Sequence, residues 1–235
     1  MMAHVTRKIH CGGKPMTVVV LAGGRSRRMK ADKAMLDVGG RTLLEHVLVQ
    51  VEPLFDEVLV SRSPGQRLSF KGRAAAQKAS SVRSPRSAGS SAIAVVEDEI
   101  PGRGPMAGIL AGLRAARNDA CMAIACDIPD IDAPFLRRLA RAAANSEIVV
   151  PVNAAGQFEP LFAVYTRGVI PKIEALLGSG KRSVLPLFQE CRTVTVPLGN
   201  AFWLLNLNTR ADYRDYLARR RAIRGPIRGR TKSSR

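Results

Sequence analysis

The sequence has few aromatic residues, few histidines and no long apolar run. Only 5% of its 235 residues are Phe, Trp or Tyr, and the arginine-rich segment 219–235 contains none, so stacking on nucleic-acid bases is not indicated. His4, His10 and His46 do not fit a Ser–His–Asp arrangement. No apolar run approaches the roughly 18–20 residues that cross a bilayer. The N-terminus also lacks the apolar stretch of a secretory signal. We therefore expect a cytoplasmic protein with no membrane partner.

The four cysteines are too widely spaced for a Cys-x-x-Cys motif. We expect them to be reduced thiols rather than zinc ligands. They are Cys11, Cys121, Cys126 and Cys191. Two common phosphate-binding patterns, the Walker sequence and Gly-x-Gly-x-x-Gly, are also absent.

The formal charge of +18 is concentrated in three segments. Residues 1–16, 71–92 and 219–235 contain three, five and eight basic residues respectively and no acidic ones, so together they carry 16 of the 18 excess charges. The remainder of the chain is nearly neutral. Nucleic acid is therefore not the expected main partner, although a polyanion-binding module that uses the basic tail remains an alternative.

Strand-like and helix-like segments alternate along residues 16–218. This alternation predicts an α/β fold with a mostly parallel sheet and helices on both faces. The predicted strands are 16–21, 57–61, 93–96, 121–126, 147–151, 162–165 and 192–196, and the predicted helices are 42–55, 105–117, 133–144, 169–177, 184–188 and 209–220. Around this domain we expect a basic N-terminal extension at 1–15, a low-complexity insertion at about 71–92 and a basic, disordered tail at 219–235.

Residues 21–33 read Leu-Ala-Gly-Gly-Arg-Ser-Arg-Arg-Met-Lys-Ala-Asp-Lys, directly after a buried strand. A Gly-Gly turn lets backbone N–H groups approach phosphate oxygens, and the basic side chains that follow would neutralise them. The same residues would also suit a tight turn with solvated arginines. We favour the phosphate interpretation because other parts of the chain match it.

Two carboxylates follow predicted strands, at the edge where ligands bind in such sheets. Asp98 comes after the third strand and Asp127 after the fourth. Asp127 would suit a divalent cation, or it would serve as a turn residue before Ile128-Pro129.

The loop at 21–33 resembles the signature loop of the molybdenum cofactor guanylyltransferase family (molybdopterin-guanine dinucleotide synthases). Four further segments match the family in order and spacing, and the resemblance covers about residues 16–218. They are Glu97-Asp98 with Gly104-Pro105-Met106-Ala107-Gly108, Cys126-Asp127-Ile128-Pro129, Glu159-Pro160-Leu161, and Asn206-Leu207-Asn208-Thr209. The resemblance implies a Rossmann-like three-layer αβα sandwich of the nucleotide-diphospho-sugar transferase type.

The resemblance also implies transfer of GMP from Mg·GTP to the terminal phosphate of molybdopterin, with release of pyrophosphate. Both reactants are anionic, so Mg²⁺ on one or two carboxylates and nearby Lys and Arg side chains would offset their charge. GTP and the molybdopterin cofactor are the implied partners, together with molybdopterin-carrying or molybdoenzyme-maturation proteins. A nucleotidyltransferase that uses CTP or another small phosphorylated acceptor is the alternative.

Matching positions imply roles for individual residues. Lys33, Asp127 and Arg28 are the implied catalytic residues, and Asp127 is also the implied Mg²⁺ ligand. The implied nucleotide-binding residues are Leu21, Ala22, Gly23, Gly24, Arg25, Lys33, Ser61, Asp98 and Asp127. Lys33 would contact phosphates, although a solvated lysine at the start of a helix would fit the same pattern.

Two matches remain open. Asn206 and Asn208 would lie on the pterin side, or they would be loop residues before a helix capped by Thr209. Lys30 stands where the family loop has glycine. If that position requires a positive φ, lysine costs about 1 kcal/mol there. Otherwise the loop takes another path.

Overall fold

The computed structural model describes residues 7–23, 32–70, 93–98, 100, 102–199 and 205–224. The phosphate-loop residues 24–31, the insertion 71–92 and the tail residues 225–235 lie outside this part of the chain. The strands are β1 (His10–Cys11), β2 (Lys14–Pro15), β3 (Thr17–Leu21), β4 (Glu57–Arg62), β5 (Ala94–Glu97), β6 (Ala120–Ala125), β7 (Ile148–Val152), β8 (Phe162–Thr166) and β9 (Thr193–Pro197). The helices are α1 (Leu43–Val51), α2 (Pro105–Ala115), α3 (Ala133–Ala142), α4 (Ile170–Gly178), α5 (Leu187–Glu190) and α6 (Arg210–Arg224).

Seven strands form one sheet in the order β5–β4–β3–β6–β8–β7–β9. Strands β3, β4, β5 and β6 are parallel, and β9 is parallel to β7. Strand β8 is antiparallel to both of its neighbours, β6 and β7. Its beginning therefore lies beside the end of β6, which brings a later part of the chain to the carboxyl edge of the parallel strands.

Helices cover both faces of the sheet, which confirms the predicted αβα layers. Alternate residues of β3 point to opposite faces, because side chains alternate along a strand. Val18 and Val20 pack in one core cluster with α1 and α3, whereas Val19 and Leu21 pack in the other with α2 and α4. Both faces of the central strand are therefore buried, as expected of a parallel sheet between helical layers.

Two glycines of helix α2 lie where the helix packs directly against strands β3 and β4. A Cβ at Gly112 would lie 2.5 Å from Cγ1 of Val19, and a Cβ at Gly108 would lie 2.7 Å from Oγ of Ser61. Both distances are shorter than a carbon side chain tolerates. These two glycines set the height of α2 above the strands that carry the site.

Residues 7–15, which fall in the predicted basic extension, pack against the domain. Strands β1 and β2 form a hairpin whose turn, Gly12-Gly13, has positive φ at both positions, as a type I′ turn requires. Ile9 is 1% exposed and belongs to the core. Lys8 Nζ donates to the carbonyl of Glu52 at 3.1 Å, just beyond the end of α1. The packed domain thus begins before residue 16.

Helix boundaries follow local chemistry. A capping box begins α1: Glu45 N–H donates to Thr42 Oγ1 at 3.1 Å, and Thr42 N–H donates to Glu45 Oε2 at 2.7 Å. The α-helix ends at Val51, earlier than predicted, because Pro53 has no N–H to continue it and a 3₁₀ turn follows. Helix α6 instead runs past the predicted end to Arg224. Among the described helices, none is long and apolar enough to cross a membrane.

Candidate active site

The first predicted nucleotide-binding residues, Leu21, Ala22 and Gly23, lie at the end of β3 and directly after it. Cys126 N–H donates to the Leu21 carbonyl at 3.1 Å, and Ala22 N–H donates to the Ser61 carbonyl at 2.8 Å. A Cβ at Gly23 would lie 3.1 Å from Asp98 Oδ2, so glycine permits the backbone to pass this carboxylate. Gly24, Arg25, Arg28 and Lys30 lie outside the described residues.

Ser61 and Asp98 meet next to Gly23. Ser61 Oγ donates to Asp98 Oδ1 at 2.5 Å, and the Asp98 N–H donates to the Arg62 carbonyl at 2.9 Å. Ser61 is 1% exposed and Asp98 9% exposed. Burial raises the pKa of Asp98, and the hydrogen bond from Ser61 opposes that shift only in part. Burial therefore disfavours the ionised form of Asp98.

Lys33, Asp127 and Asn208 come together across distant parts of the chain. Lys33 Nζ donates to Asp127 Oδ2 at 2.8 Å and to Asn208 Oδ1 at 2.9 Å. Lys33 begins a 3₁₀ turn capped by Asp32, which accepts from the N–H of Ala34 at 3.1 Å. Asp127 follows β6. The sequence prediction that these residues share a site is consistent with this contact, and the lysine is not a freely solvated side chain.

The segment that carries Asn206 and Asn208 is fixed at the start of α6. Thr209 caps the helix by accepting from Asp212 N–H at 3.1 Å, and Asp212 accepts from the N–H groups of Asn208 and Thr209 at 3.0 and 2.8 Å. Leu207 N–H donates to the Asp127 carbonyl at 2.9 Å. The capping interpretation is therefore confirmed, and the same segment brings Asn208 Oδ1 to 2.9 Å from Lys33 Nζ. The pterin-side role of Asn206 and Asn208 stays a prediction.

Glu159 lies with Asp127 and Asn206 in the same site, although its motif in the sequence predicted no role for it. It lies just before β8, next to the end of β6, where Ala125 N–H donates to the Leu161 carbonyl at 2.8 Å. Burial, and then the negative charge of Asp127, raise the pKa of Glu159, while a hydrogen bond with Asn206 lowers it. The motif Glu159-Pro160-Leu161 drew attention to this residue in the sequence. Only the antiparallel direction of β8 shows that Glu159 lies near the end of β6.

Tyr165 supports the turn that carries Glu159. Its buried hydroxyl donates to the Pro160 carbonyl at 2.8 Å, and burial raises the pKa of this phenol. Among the described residues, the site combines Lys33, the buried Asp98 and two further carboxylates, Asp127 and Glu159, at the carboxyl edge of the sheet. Such a mixture suits a polyanionic ligand that arrives with a cation.

The fold and these side chains define a nucleotide-binding α/β protein of the nucleotidyltransferase type. Comparison with known proteins gives the same answer: residues 18–193 match the MobA-like NTP transferase domain. A relative from Syntrophotalea carbinolica, named molybdenum cofactor guanylyltransferase, is 32% identical over 84% of this chain and 88% of its own length. The chain belongs to the MobA-like nucleotidyltransferase family.

Solved structures agree on the fold. Molybdopterin-guanine dinucleotide biosynthesis protein A from Archaeoglobus fulgidus has a TM-score of 0.64 at 22% identity, covering 88% of this chain and 97% of its own. A Mycobacterium tuberculosis protein, crystallised as a complex with manganese, has a TM-score of 0.51 at 23% identity, covering 87% and 99%.

Proposed function

We propose that this protein transfers GMP from GTP, bound with a divalent cation, to the terminal phosphate of molybdopterin. An acceptor phosphate oxygen forms a bond to the α-phosphorus, the bond from that phosphorus to the bridging oxygen breaks, and pyrophosphate leaves. The observation that carries this proposal is the contact of Lys33 with both Asp127, which follows β6, and Asn208. The family names of the relatives supply the nucleotide and the acceptor.

The acidic residues fit a hard divalent cation, and we propose Mg²⁺. Asp127 would hold it, and the nearby charge of Glu159 favours a cation there. In the described part of the chain, no three His, Cys, Asp or Glu side chains are grouped so as to hold a metal. The remaining ligands would therefore be water and substrate phosphate oxygens, which is how Mg²⁺ is usually bound. Bound there, the cation offsets phosphate charge.

Lys33 and the glycine turn would bind the triphosphate. The Lys33 ammonium group exchanges Asp127 for phosphate oxygens, and Gly23, with Gly24 and Arg25 after it, supplies backbone and cationic contacts. Arg28 is assigned to the same phosphates by its position in the motif. Positioning and charge stabilisation supply most of the catalysis in phosphoryl transfer, so no protein nucleophile is required.

Asp98 would select the nucleoside. Its Oδ2 lies where a Cβ at Gly23 would touch it, so this oxygen faces the turn along which the nucleotide would lie. A carboxylate accepts from the N1–H and amino groups of guanine, or from ribose hydroxyls. Asn206 and Asn208 would contact the acceptor on the other side of Lys33.

The test is pyrophosphate release by the purified protein with molybdopterin, Mg²⁺ and each of GTP, ATP, CTP and UTP. We expect turnover with GTP. Turnover with CTP but not GTP would contradict the guanine assignment, and turnover only with another phosphorylated acceptor would contradict the acceptor. Lys33→Met should lower kcat/KM by about 100-fold or more. Lys181→Met, at an exposed position, is the matched control.

A further inference from the structure

The loop that follows Asp127 is clamped onto α1 by one side chain. Gln50 Nε2 donates to the Pro129 carbonyl at 2.8 Å, and Gln50 Oε1 accepts from Ile131 N–H at 3.1 Å. Gln50 Nε2 also donates to the His46 carbonyl one turn earlier in α1, at 2.9 Å. One amide therefore fixes the backbone on both sides of Asp130.

A second clamp reaches the same loop from α6. The Tyr216 hydroxyl donates to Asp130 Oδ1 at 2.9 Å and accepts from Arg220 at 2.9 Å. Nε2 of His46 lies 2.6 Å from the same Arg220 nitrogen and 3.2 Å from the Tyr216 oxygen. Tyr216 is 2% exposed, so its hydroxyl depends on these partners.

Helix α6 thus holds the loop from two directions. The segment before α6 bonds the Asp127 carbonyl through Leu207 N–H, and the middle of α6 holds Asp130 through Tyr216. Among the described hydrogen bonds, neither Gln50 nor Tyr216 contacts Lys33, Asp127 or Asn208 directly. Their bonds to this loop all go to residues 129–131, two to four positions after Asp127.

We propose that Gln50 and Tyr216 are positioning residues that hold the Asp127 carboxylate in the orientation in which it binds the cation. This inference rests on the proposed function, because it takes Asp127 as the cation ligand. Groups that orient a metal ligand commonly change metal affinity by about 10–100-fold when they are removed. A loss of that size is expected although both side chains lie outside the reacting groups.

The experiment measures the dissociation constant of GTP with Mn²⁺ and with EDTA. The ratio of the two constants is the cation-dependent gain in affinity. In Tyr216→Phe and in Gln50→Met the gain should fall about 10-fold, with little change in the affinity measured in EDTA. Tyr213→Phe removes a hydroxyl from the same helix, where it donates to the Asp37 carbonyl, and should leave the gain intact.

A double-mutant cycle tests whether Tyr216 acts through Asp127. In an Asp127→Asn background, Tyr216→Phe should have no further effect on the gain. If Tyr216→Phe lowers the cation-dependent gain equally in both backgrounds, the positioning role is overturned. It is also overturned if the gain is unchanged in Tyr216→Phe and Gln50→Met while their thermal unfolding temperatures fall as in Tyr213→Phe. If Mn²⁺ does not change the GTP affinity of the unsubstituted protein, the cation role of Asp127 in the proposed function fails as well.

Discussion

Lys33 and Asp127 hold each other at 2.8 Å with their side chains 16% and 20% exposed. Each is also the natural partner of one component of a nucleotide–cation complex, since ammonium groups bind phosphates and carboxylates bind divalent cations. Exchange of partners would keep both charges compensated throughout binding. The pair therefore maintains the site without a buried, uncompensated charge.

Asp98 should reduce stability in return for function. Because its pKa is raised in the folded protein, the folded state keeps a proton that the unfolded state loses as the pH rises above the ordinary value of 3.8, so stability falls over that interval. Asp98→Asn should remove this loss while weakening GTP binding. The free energy of unfolding, measured from pH 3 to pH 7, should increasingly favour the variant as the pH rises.

The exposed Asp215→Asn is the control for this comparison, and its free energy of unfolding should stay within about 0.5 kcal/mol of the original at each pH. If the difference in free energy of unfolding between Asp98→Asn and the original protein does not grow with pH, the raised pKa of Asp98 is contradicted.

Side-chain roles could be predicted only where a residue lies in a recognisable local pattern. Lys33, Asp98, Asp127 and Asn208 lie in such patterns. Glu159 had a pattern but no role until its neighbours were known. Gln50 and Tyr216 had neither, because their partners lie 79 and 86 residues away along the chain.

At the scale of elements, the close packing of α2 on β3 sets the distance between two layers of the fold. Gly112→Ala would bring a methyl group to 2.5 Å from Val19, so the helix must move or the valine must leave its rotamer. We expect a loss of about 1–3 kcal/mol in the free energy of unfolding, the usual cost of overpacking a core. Chemical denaturation measures it.

Gly178→Ala is the matched control, since a Cβ there meets nothing within 4 Å. It should be neutral or stabilising by up to about 1 kcal/mol, because alanine has less freedom to lose on folding. Equal losses in both variants would contradict the close approach at Gly112.

The parallel strands and their helices were predictable because buried runs and helical periodicity are local signals. The β1–β2 hairpin was not, because two strands of two residues each carry no periodicity and the segment looked like a basic extension. The antiparallel direction of β8 could not be predicted from the sequence either. Strand direction depends on pairing, and this pairing is what places Glu159 beside the end of β6.

For the whole molecule, most of the excess positive charge lies in segments of the chain other than those that form the proposed active site. Residues 225–235 contain four basic residues and no acidic ones. Truncation after Arg224 should leave transferase activity with free molybdopterin unchanged. It should also reduce retention on a polyanionic matrix at low salt, because each neutralised phosphate adds to the salt dependence of binding.

Loss of activity in the truncated chain would contradict an accessory tail and would indicate that it recruits the anionic acceptor. Retained activity with weaker binding to molybdopterin-carrying or molybdoenzyme-maturation proteins would support the expectation that such proteins are partners.

In the proposed function, Asp127 holds the divalent cation at a site for nucleotidyl transfer. The most direct measurement is Mg²⁺-dependent pyrophosphate release from GTP and molybdopterin by Asp127→Ala, with circular dichroism to show that the fold is retained. We predict a folded protein whose Mg²⁺-dependent turnover is abolished. A folded variant with near-normal, Mg²⁺-dependent turnover would contradict the assignment of Asp127 as the cation ligand.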